Sequence, residues 1–218
     1  MSEKMYIKKI GHCCLLIEYK GLRIVTDPGD FAVEVHSILQ DIDMVLITHD
    51  HPDHIHAESM EGLVKNNPDM KIITNTSVGN TLDSLGITCE ILEHGESLEY
   101  ESILVEGFGN EHAEIFGDFS ATQNTGYFID NKMFYPGDAF TDPGKPVSIL
   151  AVPVSAPWMA LKEAINYVAD LKPGRCFPVH DGVLSAEGIE IYHRILEKNI
   201  SKEITFASLR NGGELYIM

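Results

Sequence analysis

Three histidines and two aspartates fall within six consecutive positions of the chain, a segment called the histidine motif below: His49-Asp50-His51-Pro52-Asp53-His54. A β-rich apolar run at residues 44–48 precedes the motif, and a helical pattern at residues 57–66 follows it. Side chains two apart on a strand point the same way, so the first two histidines can hold one ion. Asp53 and His54 lie where the chain turns toward the helix and can reach a second ion. The motif therefore predicts a two-metal site, against the alternative of a surface loop that collects metal without chemistry.

Strand and helix patterns follow the same progression in both halves of the chain. In the first half they predict strands at 5–10, 13–19, 23–26, 44–48, 71–74 and 88–92, a hairpin turn at 19–22, and helices at 57–66 and 77–85. In the second half they predict strands at 102–108, 125–129, 132–135, 149–154 and 176–179, and helices at 158–170 and 186–198. No linker divides the halves, so we predict one domain over residues 1–218. Its class is α/β, a four-layer αβ/βα sandwich with helices outside two packed sheets.

The balance of charges limits the partners of the chain. Sixteen Lys plus Arg against 33 Asp plus Glu give a formal net charge of −17. A field of this sign repels nucleic acid and anionic membrane surfaces, so we expect a small-molecule substrate, with a homo-oligomer left open. No apolar signal region or membrane-spanning stretch is visible, which predicts an unexported, cytoplasmic protein. The four cysteines form no CxxC pair and are expected to be reduced and mostly buried.

The histidine motif after a hydrophobic strand resembles the signature of the metallo-β-lactamase superfamily. Two further segments, Gly11-His12 before the second strand and Thr26-Asp27-Pro28-Gly29 after the third, are similar to one branch of it. That branch contains small metal-dependent hydrolases, among them ascorbate-phosphate lactonase-like proteins and zinc-dependent hydrolases. The resemblance extends over nearly the whole chain and implies the four-layer sandwich with a metal centre in the cleft at the sheet ends.

The resemblance also implies a third histidine, a bridging aspartate and a final histidine, each at the end of a later strand. His112, Asp138 and His180 occupy such positions, after strands that end near residues 108, 135 and 179. Carried over position by position, the implied ligands are His49, His51 and His112 for the first metal, Asp53, His54 and His180 for the second, and Asp138 as the bridge between them.

Imidazole and carboxylate ligands suit two divalent ions, above all zinc, while iron or manganese fit the same set. Two such cations supply hydroxide from a shared water and polarise the group that it attacks. We therefore expect a hydrolase of a small ester, lactone or phosphodiester, with Asp53 as the catalytic candidate. A residue such as Asp53 or a metal-bound water would return the proton to the leaving group. Family resemblance favours a lactone or carboxylic ester. Two alternatives remain open: an iron-dependent redox protein on the same fold, and a non-catalytic metal-binding protein.

Three residues outside the ligand set have two interpretations each on sequence alone. Asp27 either supports a metal-bound histidine or forms an Asp-Pro turn, and His12 either lines the cleft or is a buried structural histidine. Trp158, the only tryptophan, lies either at the cleft mouth or at the start of a helix.

The remaining histidines and several aromatic residues are weaker candidates. His94 would replace His112 as a ligand if that residue turned away, and His56 is expected to begin a helix without binding metal. His36 and His193 are expected to be exposed or structural. Four phenylalanines in loops near the strand ends are candidates for an apolar wall around a substrate, namely Phe31, Phe116, Phe119 and Phe140.

Overall fold

The computed structural model describes residues 4–36, 38–117 and 122–218. The strands within these residues are β1 (Met5–Lys9), β2 (Leu15–Tyr19), β3 (Leu22–Thr26), β4 (Met44–Ile47), β5 (Lys71–Thr74), β6 (Glu90–Ile91), β7 (Ser97–Tyr100), β8 (Ile103–Phe108), β9 (Gly126–Ile129), β10 (Met133–Tyr135), β11 (Ile149–Pro153), β12 (Arg175–Val179), β13 (Thr205–Phe206) and β14 (Glu214–Ile217). The helices are α1 (Val33–His36), α2 (Ala57–Asn66), α3 (Thr76–Ser84), α4 (Leu161–Leu171) and α5 (Ala186–Asn199), and a 3₁₀ turn at Asp30–Ala32 leads into α1.

The strands form two sheets of seven. The first has the order β14-β1-β2-β3-β4-β5-β6, and the second has the order β13-β12-β11-β10-β9-β8-β7. Strands β3 to β6 run parallel to one another, as do β10 to β13. Since parallel strands end at the same edge of a sheet, the loops after β3 and β4 share one edge, and those after β10 and β12 share another.

Three apolar clusters separate four layers of secondary structure. The alternation of β4 shows the arrangement: Met44 and Leu46 face the second sheet, whereas Val45 and Ile47 face α2 and α3. The third cluster joins the outer face of the second sheet to α4 and α5, for example through Phe128. Because both faces of β4 are covered, it is apolar throughout. The predicted four-layer αβ/βα sandwich is confirmed.

Most of the predicted elements are present, with small shifts at their ends. The helix expected at residues 57–66 is α2 with the same bounds, and the turn at 19–22 is a two-residue hairpin loop with positive φ at Lys20 and Gly21. The helix expected from residue 158 was wrong in its first turn, since α4 begins at Leu161. There the carboxylate of Glu163 accepts a hydrogen bond from the amide of Ala160 at 2.6 Å.

The short strands β7, β13 and β14 were not predicted. Strand β14 pairs antiparallel with β1, with Met5 opposite Ile217, and so joins the two ends of the described chain in one sheet. The four cysteines are free, and all but Cys89 are buried, as expected. Across residues 4–36, 38–117 and 122–218, no helix has the length and apolar character needed to cross a membrane.

Candidate metal centre

The histidine motif follows β4 directly, and its first side chains alternate in direction. The rings of His49 and His51 lie side by side, with centroids 4.7 Å apart. Asp50 between them points elsewhere and accepts hydrogen bonds from the hydroxyl of Ser77, at 2.8 Å, and from that of Thr122. The strand therefore presents two imidazoles to the same space and uses the intervening carboxylate as an anchor.

The turn after these histidines is packed against the loop that follows β3. The amide of His54 donates to the carbonyl of His51 at 2.9 Å, which closes the turn. Gly29 approaches so closely that a Cβ atom there would overlap the backbone carbonyl of Asp53. A glycine is required at this contact because only a residue without a side chain lets the two loops meet.

One group of nitrogen atoms consists of the two motif histidines at the end of β4 and His112. The ring of His112 lies 4.9 Å from that of His49 and 4.6 Å from that of His51, centroid to centroid. Their ligand atoms all lie within 4.8 Å of one another. This is the set implied for the first metal, and it can surround one ion.

A second group lies beside the first and contains Asp53, His54, His180 and Asp138. The Nε2 atom of His54 is 3.2 Å from Oδ1 of Asp138, and Nε2 of His180 is 2.9 Å from Oδ2 of the same carboxylate. Oδ2 of Asp53 lies 3.7 Å and 3.5 Å from these two nitrogens. Asp138 also reaches the first group, since its Oδ2 is 3.4 Å from Nε2 of His112. The structure thus brings all seven predicted site residues together, with Asp138 between the two groups.

Four of the histidines are oriented by their other ring nitrogen, as metal-binding histidines are. The Nδ1 contacts are Thr48 Oγ1 for His49 at 3.0 Å, Asp27 Oδ2 for His54 at 2.7 Å, the carbonyl of Ala113 for His112 at 2.6 Å, and the carbonyl of Ser155 for His180 at 2.6 Å. Carbonyl and carboxylate oxygens can only accept, so a neutral ring in contact with one of them carries its proton on Nδ1 and leaves Nε2 free.

The opposite nitrogens are buried and, among the described residues, have no hydrogen-bond partner. They are Nε2 of His49, His54, His112 and His180, and Oδ1 of Asp138 and Nε2 of the neighbouring His12 share this condition. Buried polar atoms are nearly always satisfied in native proteins, and six unsatisfied atoms around one space call for a ligand. Imidazole nitrogens and a carboxylate oxygen are the donors that zinc, iron and manganese accept, so the residues present fit a metal centre.

Asp27, at the end of β3, is the support for His54. Its Oδ1 accepts a hydrogen bond from the amide of Thr48 and its Oδ2 one from the hydroxyl of Thr48, both at 2.8 Å. The hydroxyl of Tyr135 lies 2.8 Å from the same Oδ2. Asp27 and His54 are both fully buried. The structure favours the supporting role for Asp27, although its positive φ of 36° shows that it also forms a tight turn.

Asp138 is fixed by contacts from three directions. Its amide donates to Oδ1 of Asn124 at 3.0 Å, and the preceding Gly137 has a φ of 66° that turns the chain into the site. The indole of Trp158 donates to Oδ2 of Asp138 at 2.9 Å. Trp158 therefore lies in the cleft at the metal centre, ahead of α4, and the cleft position is the correct one of the two predicted.

Comparisons with known proteins show the family of this chain. The family described as the beta-lactamase superfamily domain matches residues 6–180. The chain belongs to the metallo-β-lactamase superfamily. It is 31% identical over 194 residues to protein Rv0786c of Mycobacterium tuberculosis, covering 87% of this chain and 90% of that one. It is 26% identical over 191 residues to a UPF0173 metal-dependent hydrolase of Thermococcus onnurineus, covering 80% and 83%. Among solved structures, the metallo hydrolase Igni18 of Ignicoccus hospitalis matches with a TM-score of 0.78 at 16% identity, covering 99% of both chains.

Electrostatics give the residues of this superfamily site different protonation states. Burial would raise the pKa of Asp138, but the neighbouring His54, His180 and His112 hold it well below its usual range. Burial holds the pKa of His49 well below its usual range, and the nearby His54 adds to this effect. Burial would lower the pKa of His54 and of His180, but Asp138 raises both, and Cys13 adds to the effect on His54. Asp138 and His49 are thus in the protonation states that bind metal, whereas an ion would displace a proton from His54 and His180.

Gly137 offers a test of how the site is held. A Cβ atom there would lie 2.7 Å from Cβ of Thr48 and closer still to Oδ1 of Asn124, on a backbone with φ of 66°. We expect Gly137→Ala to lower the free energy of unfolding by about 3 kcal/mol, from strain plus overpacking. Gly144→Ala is the matched control, since Gly144 has a φ of 68° with open space around it in the described structure. In thermal unfolding, Gly144→Ala should lower the free energy of unfolding by only about 1 kcal/mol. Equal losses in both variants would refute the packing argument.

The remaining candidates divide between the site and the scaffold. His12 is at the site, where its ring stacks on Phe31 with centroids 4.3 Å apart. Phe140 contacts Trp158, with ring centroids 5.2 Å apart, and Phe116 is 83% exposed. Phe119 lies outside the described residues. Two of the four phenylalanines thus line the surroundings of the metal centre.

The other histidines take structural positions. His94 accepts a hydrogen bond from the amide of Gly109 at 3.0 Å and is not needed as a replacement for His112. His56 precedes α2 without a side-chain capping hydrogen bond in the described structure. His36 and His193 are both buried, His193 between Asp181 and Ser208.

His36 predicts a dependence of stability on pH. Burial, helped by the nearby His56, lowers the pKa of His36 from 6.5 to about 4. The unfolded chain therefore takes up a proton below pH 6.5 that the folded chain refuses until about pH 4, so stability falls across this window. Through His36 alone, the free energy of unfolding should fall by on the order of 3 kcal/mol across this window. In urea unfolding of His36→Gln, we expect a flatter decline between pH 6.5 and 4 than in the parent; parallel curves would contradict it.

Proposed function

We propose that this superfamily member is a hydrolase that binds two divalent metal ions, zinc first among them, and cleaves a small carboxylic ester or lactone. The observation that carries the proposal is the convergence of free Nε2 atoms from four oriented histidines on the carboxylate of Asp138. The metal-dependent hydrolase of Thermococcus onnurineus among its relatives supports it. When bound, two cations would lower the pKa of a shared water and polarise the bond under attack.

The proposed ligands follow from the two groups of donor atoms. His49, His51 and His112 would hold the first ion, and Asp53, His54 and His180 the second, with Asp138 in contact with both. The geometry supports this division because Oδ1 and Oδ2 of Asp138 face nitrogens of both groups, at 3.2 Å from His54 and 3.4 Å from His112. Each ion would thus receive three protein donors besides the shared carboxylate, so water or substrate would bind as a fifth ligand.

Asp53 is the proposed catalytic group. Its side chain is 27% exposed, whereas that of Asp138 is 4% exposed, so Asp53 is the carboxylate that a leaving group can reach. Burial would raise its pKa, but contacts with His12, His54 and His180 lower it well below its usual range. It therefore starts the reaction ionised, able to take a proton from the attacking water and to return it to the leaving oxygen.

The charges around the cleft favour an uncharged ester over a phosphodiester. A cleft of about 510 Å³ opens beside His112, and the charged side chains among the described residues that line it are Glu111 and Glu114. Two carboxylates repel an anionic substrate, and the net charge of −17 adds to this. Thr122 and Gln123, which also line the cleft, offer hydrogen bonds to polar groups of a neutral substrate.

The test is elemental analysis of protein purified without added metal, followed by a screen of esters, lactones and phosphodiesters with the metal found. We expect about two equivalents of zinc and turnover of a lactone or carboxylic ester. Bound iron with oxidation chemistry would point to the redox alternative. A filled site that turns over none of the three bond classes would refute the hydrolase, and a parent that cannot be loaded with metal would refute the site.

A further inference from the structure

His12, in the loop between β1 and β2, touches the metal centre without belonging to either group of ligands above. Its Nε2 atom is buried, has no hydrogen-bond partner among the described residues and lies 3.3 Å from Oδ2 of Asp53. Its Nδ1 atom accepts a hydrogen bond from the amide of Gly182 at 2.9 Å. Its own carbonyl accepts a hydrogen bond from the amide of His180 at 3.0 Å. One residue of the loop between β1 and β2 thus contacts both Asp53 and the loop that carries His180.

The contact with Gly182 fixes the tautomer of His12. A backbone N–H can only donate, so Nδ1 of His12 must carry a lone pair. A neutral imidazole with a bare Nδ1 has its proton on Nε2, which is the atom that faces Asp53. This is the reverse of His54, His112 and His180, whose Nδ1 atoms face oxygens. His12 therefore offers a hydrogen-bond donor where those residues offer a lone pair.

The same argument excludes His12 as a metal ligand, although its position invites that role. Nitrogen and sulfur atoms of His12, Cys13, His54 and His180 lie within 4.8 Å of one another. For His12 to bind an ion through Nε2, the ring would have to lose its last proton or break the hydrogen bond from Gly182. Cys13 is no better suited, because burial raises the pKa of its thiol to about 12.

The ring of His12 is held in place by Phe31 and Gly182, as a positioning role requires. It stacks on Phe31 with an interplanar angle of 14°. Gly182 lies against both rings, since a Cβ atom there would be 2.8 Å from Nδ1 of His12 and 2.8 Å from Cδ1 of Phe31. The donor is therefore fixed in direction before any ligand arrives.

We propose that His12 is a positioning residue whose Nε2–H donates to Oδ2 of Asp53 and holds that oxygen toward the second metal ion. Oδ2 faces Nε2 of His180 at 3.5 Å and Nε2 of His12 at 3.3 Å. One lone pair of this oxygen can therefore bind the ion while another accepts the hydrogen bond from His12. Outer contacts of this kind are worth about 10-fold to 100-fold in metal affinity. The inference rests on the proposed two-metal function.

The tautomer is tested first, on metal-free protein, by long-range ¹H–¹⁵N NMR of histidine side chains. The signals of His12 are those that disappear in His12→Gln. His94→Gln is the matched control, because Nδ1 of His94 also accepts a backbone N–H, from Gly109 at 3.0 Å, away from the metal ligands. We expect the Nε2–H tautomer for both residues. A proton on Nδ1 of His12 would overturn the inference.

Metal affinity is tested next, by competition of a chromophoric chelator with Zn²⁺ for the parent, His12→Leu, His12→Gln and His94→Gln. We expect His12→Leu to bind the second zinc about 10-fold to 100-fold more weakly and the first zinc as the parent does. His12→Gln should recover most of the loss, because its amide N–H can replace Nε2–H, and His94→Gln should match the parent. If His12 were merely structural, His12→Leu would bind both zinc ions more weakly and His12→Gln would not recover the affinity.

The outcomes separate this inference from the proposed function. A parent with two zinc ions and an unchanged second affinity in His12→Leu would overturn the inference alone. Loss of one equivalent in His12→Gln would show that His12 is a ligand and would also overturn it. A parent that binds no zinc would overturn the proposed function and the inference together, whatever the tautomer.

Discussion

Asp138→Asn is expected to bind fewer than two metal ions and to lose hydrolytic activity by roughly a thousandfold, about 4 kcal/mol of transition-state stabilisation. Asp138 reaches both donor groups, with its oxygens 3.2 Å from Nε2 of His54 and 3.4 Å from Nε2 of His112. Asparagine keeps the shape but has one oxygen, no charge, and an N–H group that repels a cation. This one substitution should therefore weaken the binding of both ions.

Trp158 provides the measurement. It is the only tryptophan of the chain, and its indole N–H donates to Asp138 at 2.9 Å. Zinc binding at Asp138 should change the fluorescence of the parent in a titration that ends near two equivalents. In Asp138→Asn, the change in fluorescence should be smaller and the titration should end at fewer equivalents of zinc. Asp142→Asn, on the exposed loop that follows, is the control and should titrate like the parent. A full two-equivalent titration in Asp138→Asn would remove Asp138 from the ligand set.

The sequence was sufficient where local order determines structure. The alternation at the end of β4 placed His49 and His51 on one side, and the pattern of α2 gave its bounds. His112, Asp138 and His180 were expected from family resemblance, and the structure brings all three to one space because their strands run in the same direction in one sheet.

The supporting contacts were out of reach because they join residues far apart in the chain. Asn124 holds the amide of Asp138, and the hydroxyl of Tyr135 reaches Asp27, which is 108 positions earlier. Nothing near Asn124 or Tyr135 in the sequence signals these partners. The contact of Asn124 with Asp138 follows from the pairing of β9 with β10, and that of Tyr135 with Asp27 follows from how the two sheets face each other. The hydroxyl of Tyr127, likewise, bonds to the carbonyl of Ile47 across the sheets at 3.1 Å.

The missed strands have a similar cause. Strand β14 has only four residues, and their alternation of exposed and half-buried side chains is weak evidence for a strand. What stabilises it is pairing with β1 at the other end of the chain, for example Leu215 with Ile7. Strand β13 has two residues and depends on β12 in the same way. Pairing between distant segments has no local signal.

Asp27→Asn is expected to damage both stability and metal binding, because Asp27 joins the scaffold to the site. The carboxylate is fully buried, and the donors around it are the amide and hydroxyl of Thr48, the hydroxyl of Tyr135 and the ring of His54. Asparagine tolerates the positive φ of 36° at this position, so the backbone should survive. Its amide must, however, turn one N–H group toward a donor, and we expect a loss of about 3 kcal/mol in the free energy of unfolding.

The metal should be affected through the tautomer of His54. With the carboxylate in place, Nδ1 of His54 carries a proton toward Asp27 at 2.7 Å and Nε2 keeps its lone pair for the ion. If the amide N–H of the substituted side chain faces Nδ1, the proton moves to Nε2, and the second zinc should bind about 10-fold to 100-fold more weakly. Thermal unfolding and zinc competition on Asp27→Asn measure the two effects, with Asp30→Ala as an exposed control on the same loop. Parent-like zinc affinity in an Asp27→Asn variant of reduced stability would show that Asp27 serves the scaffold alone, because the tautomer of His54 would then be set by something else.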